Sequence, residues 1–292
     1  VNVLGLFDGM SCGQIALDRL GIKVENYYAS EIDKYAIKIA QKNYPNTIQL
    51  GDIKNVKGKD LPNIDLLLAG SPCQGFSFAG KQLAFDDPRS ALFFEFIRLL
   101  EECKPKYFLL ENVRMKKEYL DAITDLVGVE PILINSALVS AQNRQRYYWT
   151  NLPVAGQPED KGIVLGDIIY DDTYKVFTDE RITKTKKATK NYVQWDLSGK
   201  GYGSQADRAY FKEKKVGTLP KSSPANKLNI VLDYENDIYR RMHPIEAERC
   251  QQVPDNYTSG VSDNKRLEML GNGWTVDVIC HILRCLLKKE AL

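Results

Sequence analysis

A chain of 292 residues with 43% hydrophobic side chains fits one large domain or two modest ones and can bury a sizeable core. No apolar run approaches the roughly 20 residues that span a bilayer, and no secretory leader precedes the first apolar segment. This argues against a membrane protein and predicts a soluble one that stays where it is made. The net charge of +2 hides a division: residues 181–227 carry 12 Lys+Arg against 3 Asp+Glu, which leaves −7 on the remainder. Such a stretch suits a phosphate-binding face, and equally a solvated loop.

Along the first half, short buried runs alternate with helical spacing. Residues 3–7 read as a strand, and Ile15, Ala16, Leu17 and Leu20 as a helix stopped by Gly21. A strand near 27–30, a helix near 34–42 and a strand near 48–50 follow. Residues 64–69 form another buried strand; Phe93, Phe96, Ile97 and Leu100 mark a helix, and 107–110 a strand. This rhythm predicts an α/β fold, a mostly parallel sheet with helices on both faces and ligands at the carboxyl ends of its strands. After about Pro153 the rhythm stops, and residues 154–238 read as a smaller, loop-rich module. Val276, Ile279, Leu283 and Leu286 then mark a closing helix.

The six cysteines are scattered without a C-x-x-C pair, and His243 and His281 complete no metal site with them. Reduced, buried thiols are the ordinary reading for most of them. Phe7-Asp8-Gly9-Met10-Ser11-Cys12-Gly13 follows the first strand and opens a helix, so glycines and free N–H groups face a ligand there. Glu31 ends the second strand, where a carboxylate can accept both ribose hydroxyls, and Asp52 after the third could accept from an adenine amino group. The loop lacks both the G-x-G-x-x-G spacing of a dinucleotide site and the P-loop lysine, which leaves a nucleoside ligand.

Gly70-Ser71-Pro72-Cys73-Gln74-Gly75-Phe76-Ser77 follows the fourth strand, and at this point the chain resembles the DNA (cytosine-5) methyltransferase family. The family's blocks run in order over nearly the whole chain. They are Phe7–Gly13, Ser71-Pro72-Cys73-Gln74, Glu111-Asn112-Val113, Gln142-Asn143-Arg144-Gln145-Arg146, the stretch 241–249, and Leu270-Gly271-Asn272-Gly273-Trp274-Thr275-Val276. The resemblance implies a Rossmann-like class I methyltransferase fold and methyl transfer from S-adenosylmethionine to C5 of a cytosine in double-stranded DNA, with S-adenosylhomocysteine as product and no metal. Cys73 would add to C6 as a thiolate; charge then builds toward N3 and O2, so an acid and a cation are wanted there. Glu111 is expected at N3 and Arg146 at O2, with Arg144 positioning its loop. The cofactor site is expected to comprise Phe7, Asp8, Gly9, Met10, Ser11, Gly13, Glu31, Ile32, Asp52, Ile53, Pro72, Leu92, Asn272 and Trp274.

A cytosine in a duplex cannot present C6, so the base must leave the stack, and the polar loop at 75–90 is the expected gate over it. Gln74, Ser77 and Arg89 are expected at the DNA. Lys184, Lys186, Lys187 and Lys190 are candidate phosphate contacts, and Arg208, Gln194 and Gln205 candidate base readers. Trp195 and Tyr202 fit a core better than a stacking platform. Residues 1–152 and 262–292 are expected to form the catalytic domain, and 153–261 the target-recognition domain. The family usually has Gln-Gly-Phe-Pro where this chain has Gln251-Gln252-Val253-Pro254, which puts that turn in question. Trp274-Thr275 and Leu92-Phe93-Phe94-Glu95-Phe96 are similar to the eukaryotic de novo branch, while the short chain resembles a bacterial or phage enzyme acting in the cytoplasm, with a restriction endonuclease as implied partner. Recognition sequence and oligomeric state carry no signal. Two rivals remain: a tRNA cytosine-5 methyltransferase, whose Cys-Phe-Thr signature is missing here, and a non-catalytic DNA-binding relative, which would be expected to lose Cys73 or Glu111.

Overall fold

The computed structural model describes residues 1–71, 91–196, 207–221 and 228–287. The chain divides into two compact units: Val1–Asn135, Gln145–Gln157 and Val276–Leu292 form the first, and Ser136–Arg144 with Pro158–Thr275 the second.

In the first unit β1 (Asn2–Leu6) leads into α1 (Cys12–Arg19), β2 (Asn26–Ser30), α2 (Lys34–Asn43), β3 (Ile48–Gln49) and β4 (Leu66–Gly70). Then come α3 (Ala91–Cys103), β5 (Tyr107–Val113), α4 (Lys117–Val127), β6 (Ile132–Asn135) and β7 (Gln145–Thr150). The strands lie in the order β3-β2-β1-β4-β5-β7-β6, and the first five are parallel. Strand order reverses between β1 and β4, the kind of place where open α/β sheets bind ligands beyond their carboxyl ends. β7 runs antiparallel to both β5 and β6, a reversal that periodicity alone did not predict. Leu4, Leu67, Leu110 and Trp149 of the central strands pack with Phe93, Phe96 and Leu99 of α3 and Ile123 of α4 in one apolar cluster. The spacing of those α3 residues turns one apolar stripe to the sheet.

The second unit is more regular than its composition suggested. Six short strands, β8 (Val176–Phe177), β9 (Lys187–Ala188), β10 (Tyr192–Gln194), β11 (Arg208–Tyr210), β12 (Asn229–Asp233) and β13 (Ile238–Arg241), form one sheet in the order β8-β13-β12-β11-β10-β9. α5 (Glu180–Thr185) lies between β8 and β9; α6 (Pro244–Cys250) and α7 (Asp263–Asn272) follow β13. Ile182, Val193, Trp195, Ala209, Val231 and Tyr239 make its core, so Trp195, 2% exposed, is a packing residue. The chain then returns to the first unit as α8 (Val276–Leu283), packed on α1. The bounds of these units differ from the expected ones: residues 136–144 and 262–275 cluster with the second unit and 153–157 with the first.

Arg240 and Glu246, both fully buried, hold this unit together. Arg240 donates to Glu246 through both terminal nitrogens (2.9 and 2.7 Å) and through Nε to Asp172 at 3.1 Å. Glu246 also accepts from the backbone N–H of His243 and Tyr170, closing the N-terminus of α6. Removing one member strands the other charge without water, at a cost of about 3–5 kcal/mol. Glu246→Ala should therefore lower the unfolding free energy in urea by about that amount; a loss under 1 kcal/mol would show that the pair is dispensable. Gln252 occupies the left-handed region at φ 57, where the family's glycine would sit without strain. The turn survives because the Gln252 amide donates to the Val139 carbonyl.

Candidate functional site

The loop after β1 is shaped by three residues with positive φ: Phe7 at 55°, Gly9 at 59° and Ser11 at 66°. Only glycine adopts this conformation without cost; the others are held by a buried polar chain. Asp8 accepts from the Ser11 hydroxyl and, at 2.6 Å, from the Tyr27 hydroxyl. Gln14 donates to Ser11 Oγ (2.9 Å) and Thr47 Oγ1 (2.8 Å). Gly5 makes room for this arrangement, since a Cβ there would lie 2.5 Å from Asp8 Oδ1 and 2.7 Å from the Tyr27 hydroxyl. Tyr27, Gln14 and Thr47 were not singled out from sequence; a tyrosine and a glutamine in otherwise apolar elements were the available signal.

Burial pushes the Asp8 carboxyl up to about 6, with the nearby Glu31 charge adding to it and the Ser11 and Tyr27 hydrogen bonds opposing it. An unfolded aspartate titrates near 3.9. The contribution of neutral Asp8 to stability is therefore complete below about pH 4 and is lost as pH rises through about 6. The unfolding free energy of wild type minus that of Asp8→Asn should fall by on the order of 2 kcal/mol between pH 4 and 7.5, the full shift being discounted for partial exposure. A difference that stays flat over that range would rule out a raised Asp8.

Glu31 ties the loop to β2. Its Oε2 accepts the Gly9 N–H at 2.8 Å, and its Oε1 accepts the Ile32 and Asp33 N–H groups at 2.8 and 2.9 Å. Oε2, with one donor, keeps a lone pair for a further one, whereas Oε1 already accepts two. Ile32 beside it is 74% exposed, an apolar surface next to a carboxylate. Asp52 caps the turn after β3 by accepting from Lys54 N–H at 3.0 Å. Leu92 lies in the first turn of α3, half-buried against the core. Glycine-shaped backbone, a carboxylate for a diol, an exposed apolar side chain and a second carboxylate together fit a nucleoside such as that of S-adenosylmethionine. Met10, Gly13 and Ile53, also expected at this site, are buried, so their side positions shape the loops from behind. Asn272 and Trp274 lie in the second unit.

At the carboxyl ends of β4 and β5, Gly70 pairs with Glu111. Arg146 enters on β7, paired with Val113, and its Nε lies 2.9 Å from Glu111 Oε1 with both side chains largely buried. Arg146 also donates to the Gln145 carbonyl at 2.8 Å. Asn112 donates to Ser71 Oγ at 3.0 Å, fixing the residue that leads toward Cys73. Cys73 itself, with Pro72, Gln74, Ser77, Arg89 and the expected gate at 75–90, lies outside the described residues. Arg144 is buried in the second unit, where it donates to the carbonyls of Gly271 (3.2 Å) and Gly273 (2.9 Å). Gln251 donates to the Leu270 carbonyl and accepts from Thr275 and Gln142. A side chain on Gly271 would run into the Pro220 carbonyl. These bonds make Arg144 and Gln251 the clamps of the 270–275 block; Gln251 was not anticipated.

Of the basic residues, several are already engaged. Lys186 pairs with Asp237 at 2.8 Å, donates to the Tyr234 carbonyl and stands over its ring, so it is a scaffold contact rather than a free cation. Lys212 pairs with Asp172, and Arg181 with Asp179. Lys184, Lys187 and Lys190 are exposed. The Arg208 guanidinium lies 4.8 Å from the Tyr192 ring centroid, on the face of the sheet opposite Val193 and Ala209. Gln194 is on β10 opposite Arg208, while Gln205 and Tyr202 lie outside the described residues.

A sequence model described as C-5 cytosine-specific DNA methylase matches residues 1–227 and 157–288. The chain is 32% identical over 315 residues to the Type II methyltransferase M1.ScrFI of Lactococcus lactis subsp. cremoris, covering 98% of this chain and 78% of that protein. It is 30% identical to the Type II methyltransferase M.NlaX of Neisseria lactamica, covering 95% and 93%. Among solved structures, the Entamoeba histolytica methyltransferase EhMeth superposes with a TM-score of 0.75 at 17% identity over 99% of this chain and 98% of that one, which speaks to the fold.

Proposed function

This chain belongs to the C-5 cytosine-specific DNA methylase family, and from that premise we propose how its own residues transfer a methyl group from S-adenosylmethionine to C5 of a cytosine flipped out of duplex DNA. The Glu111–Arg146 pair at the strand end beside Gly70 and Ser71 carries the reading. It supplies the proton path and the cation that attack at C6 demands, with Glu111 on β5, next to the strand that leads into Cys73, and Arg146 on β7 beyond it.

Cys73 acts as nucleophile. Its thiolate bonds to C6, the C5–C6 double bond opens, and the electrons move toward N3 and O2. A proton from solvent passes through the Glu111 carboxylate to N3 as that nitrogen becomes basic, and Arg146 donates to O2. Their ion pair keeps both groups aimed before the base arrives, so little reorganisation is needed during reaction. S-adenosylmethionine, when bound, supplies a methyl group on a sulfonium, electrophilic enough for the activated C5. A base, water being the candidate, then removes the C5 proton; the C5–C6 double bond reforms and the Cys73 thiolate leaves. No step calls for a metal.

Phe7, Gly9, Glu31, Ile32, Asp52, Pro72 and Leu92 would hold the cofactor, Glu31 at the ribose hydroxyls and Ile32 against the adenine, with Asn272 and Trp274 assigned there by the family resemblance. The first unit is then the catalytic domain and the second the target-recognition domain. Lys184, Lys187 and Lys190 contact phosphates, and Arg208, with its guanidinium held over Tyr192, reads base edges. Gln74, Ser77 and Arg89 meet the DNA around the flipped base. The enzyme works in the cytoplasm beside a restriction endonuclease. Expression in a methylation-free host, followed by base-resolution mapping of 5-methylcytosine, tests the proposal. A single recurring target is expected; modified tRNA with unmodified DNA would overturn it.

A further inference from the structure

Arg98 has no place in the chemistry above, yet its guanidinium holds four partners: Ile53, Val56, Glu95 and Glu102. From the middle of α3 its Nη2 donates to the backbone carbonyls of Ile53 (3.2 Å) and Val56 (2.9 Å). Glu95 and Glu102, one turn to either side on α3, grip the same guanidinium: Glu95 at Nε and Nη2 (2.9 and 2.7 Å), Glu102 at Nη1 (2.9 Å). Glu102 also accepts the Gly58 N–H at 2.7 Å. Gly58 sits so close to α3 that a Cβ would lie 2.6 Å from the Glu102 Cβ.

The segment fastened this way begins at Asp52. Asp52 caps the turn whose carbonyls Arg98 holds, and the same helix carries Leu92 six residues before Arg98. A planar guanidinium with five donors can hold two carboxylates and two carbonyls together; an ammonium cannot match that fork. We infer that Arg98 is a positioning residue for the cofactor: it fixes the Asp52 turn on α3, and so sets the distance between the carboxylate and the apolar side chain that together receive the adenine. The inference rests on the proposed cofactor site and makes no claim on the methyl-transfer step.

Arg98→Lys keeps the charge and loses the fork. Isothermal titration with S-adenosylhomocysteine should show a Kd about tenfold higher, while kcat at saturating S-adenosylmethionine stays within about twofold of wild type. Asp52→Asn supplies a double-mutant cycle. If Arg98 acts through Asp52, the double variant binds little worse than Asp52→Asn alone. Additive losses, or an unchanged Kd with a lower melting temperature, would overturn the inference and leave Arg98 a purely structural strut. Should Arg98→Lys fail to fold, Glu102→Ala, at an exposed position, releases the same segment at its far end, Gly58, and a Kd raised about threefold with the same non-additivity is expected. Glu95→Gln, which leaves both carbonyl contacts intact, should bind within twofold of wild type. Failure of the wild type itself to bind S-adenosylhomocysteine would sink the cofactor site instead, a result distinct from a wild type that binds and a variant that binds equally well.

Discussion

Cys73→Ala should lose methyl transfer by a factor on the order of 10⁵ or more, while still binding S-adenosylhomocysteine and DNA. C5 of cytosine is too weak a nucleophile to take a methyl group until a bond at C6 makes the ring enamine-like. No other side chain can replace that bond. The neighbouring structure predicts that the variant remains folded, because the strand leading to it is anchored independently: Gly70 pairs with Glu111, and Ser71 is held by Asn112. Single-turnover transfer of a labelled methyl group measures the loss. DNA carrying 5-fluorocytosine, whose C5 has no proton to release, adds a second readout: the wild type should become covalently attached and Cys73→Ala should not. Residual activity within a hundredfold of wild type would mean that the sulfur is not the nucleophile.

Glu111→Gln should reduce kcat by about 10²–10⁴, the usual worth of a positioned acid. The carboxamide preserves shape and can still accept from Arg146, so the two roles of the residue separate. Orientation of the guanidinium at 2.9 Å is retained in part, and proton sharing with N3 is lost. Affinity for S-adenosylhomocysteine should change by less than about twofold, since Glu111 lies on β5 and none of the residues proposed to hold the cofactor is on that strand. A kcat within fivefold of wild type would show that N3 finds its proton elsewhere.

How far these roles could be read in the residues depended on whether a side chain's job is local. Strands β1 to β5 were visible as apolar runs, and Glu31, Asp52 and Glu111 as acids following them, because a parallel sheet gathers its strand ends on one edge. β7 was not visible: Gln145-Arg146-Tyr147-Tyr148-Trp149-Thr150 is polar at one end and aromatic at the other, and nothing local reports that it runs backwards beside β5. α4 had a helical pattern in Tyr119, Ile123 and Val127 that the strand-centred reading passed over. The partners of Arg98, Arg240 and Gln251 were illegible for a different reason. Backbone carbonyls and distant carboxylates are chosen by the fold, so a sequence shows the donor but not what it holds. The second unit looked loop-rich because its strands are only two to five residues long, too short for a period of two to stand out.

The placement of residues 136–144 bears on attempts to change the target by exchanging modules between relatives. Both strands flanking this stretch belong to the first unit, yet Gln142 and Arg144 spend their side chains on Gln251, Gly271 and Gly273 in the second. A graft that transplants only 158–275 would bring a foreign backbone to meet a resident arginine and glutamine. The second unit is therefore split in the sequence, and a chimera should carry its short upstream piece together with the long downstream one.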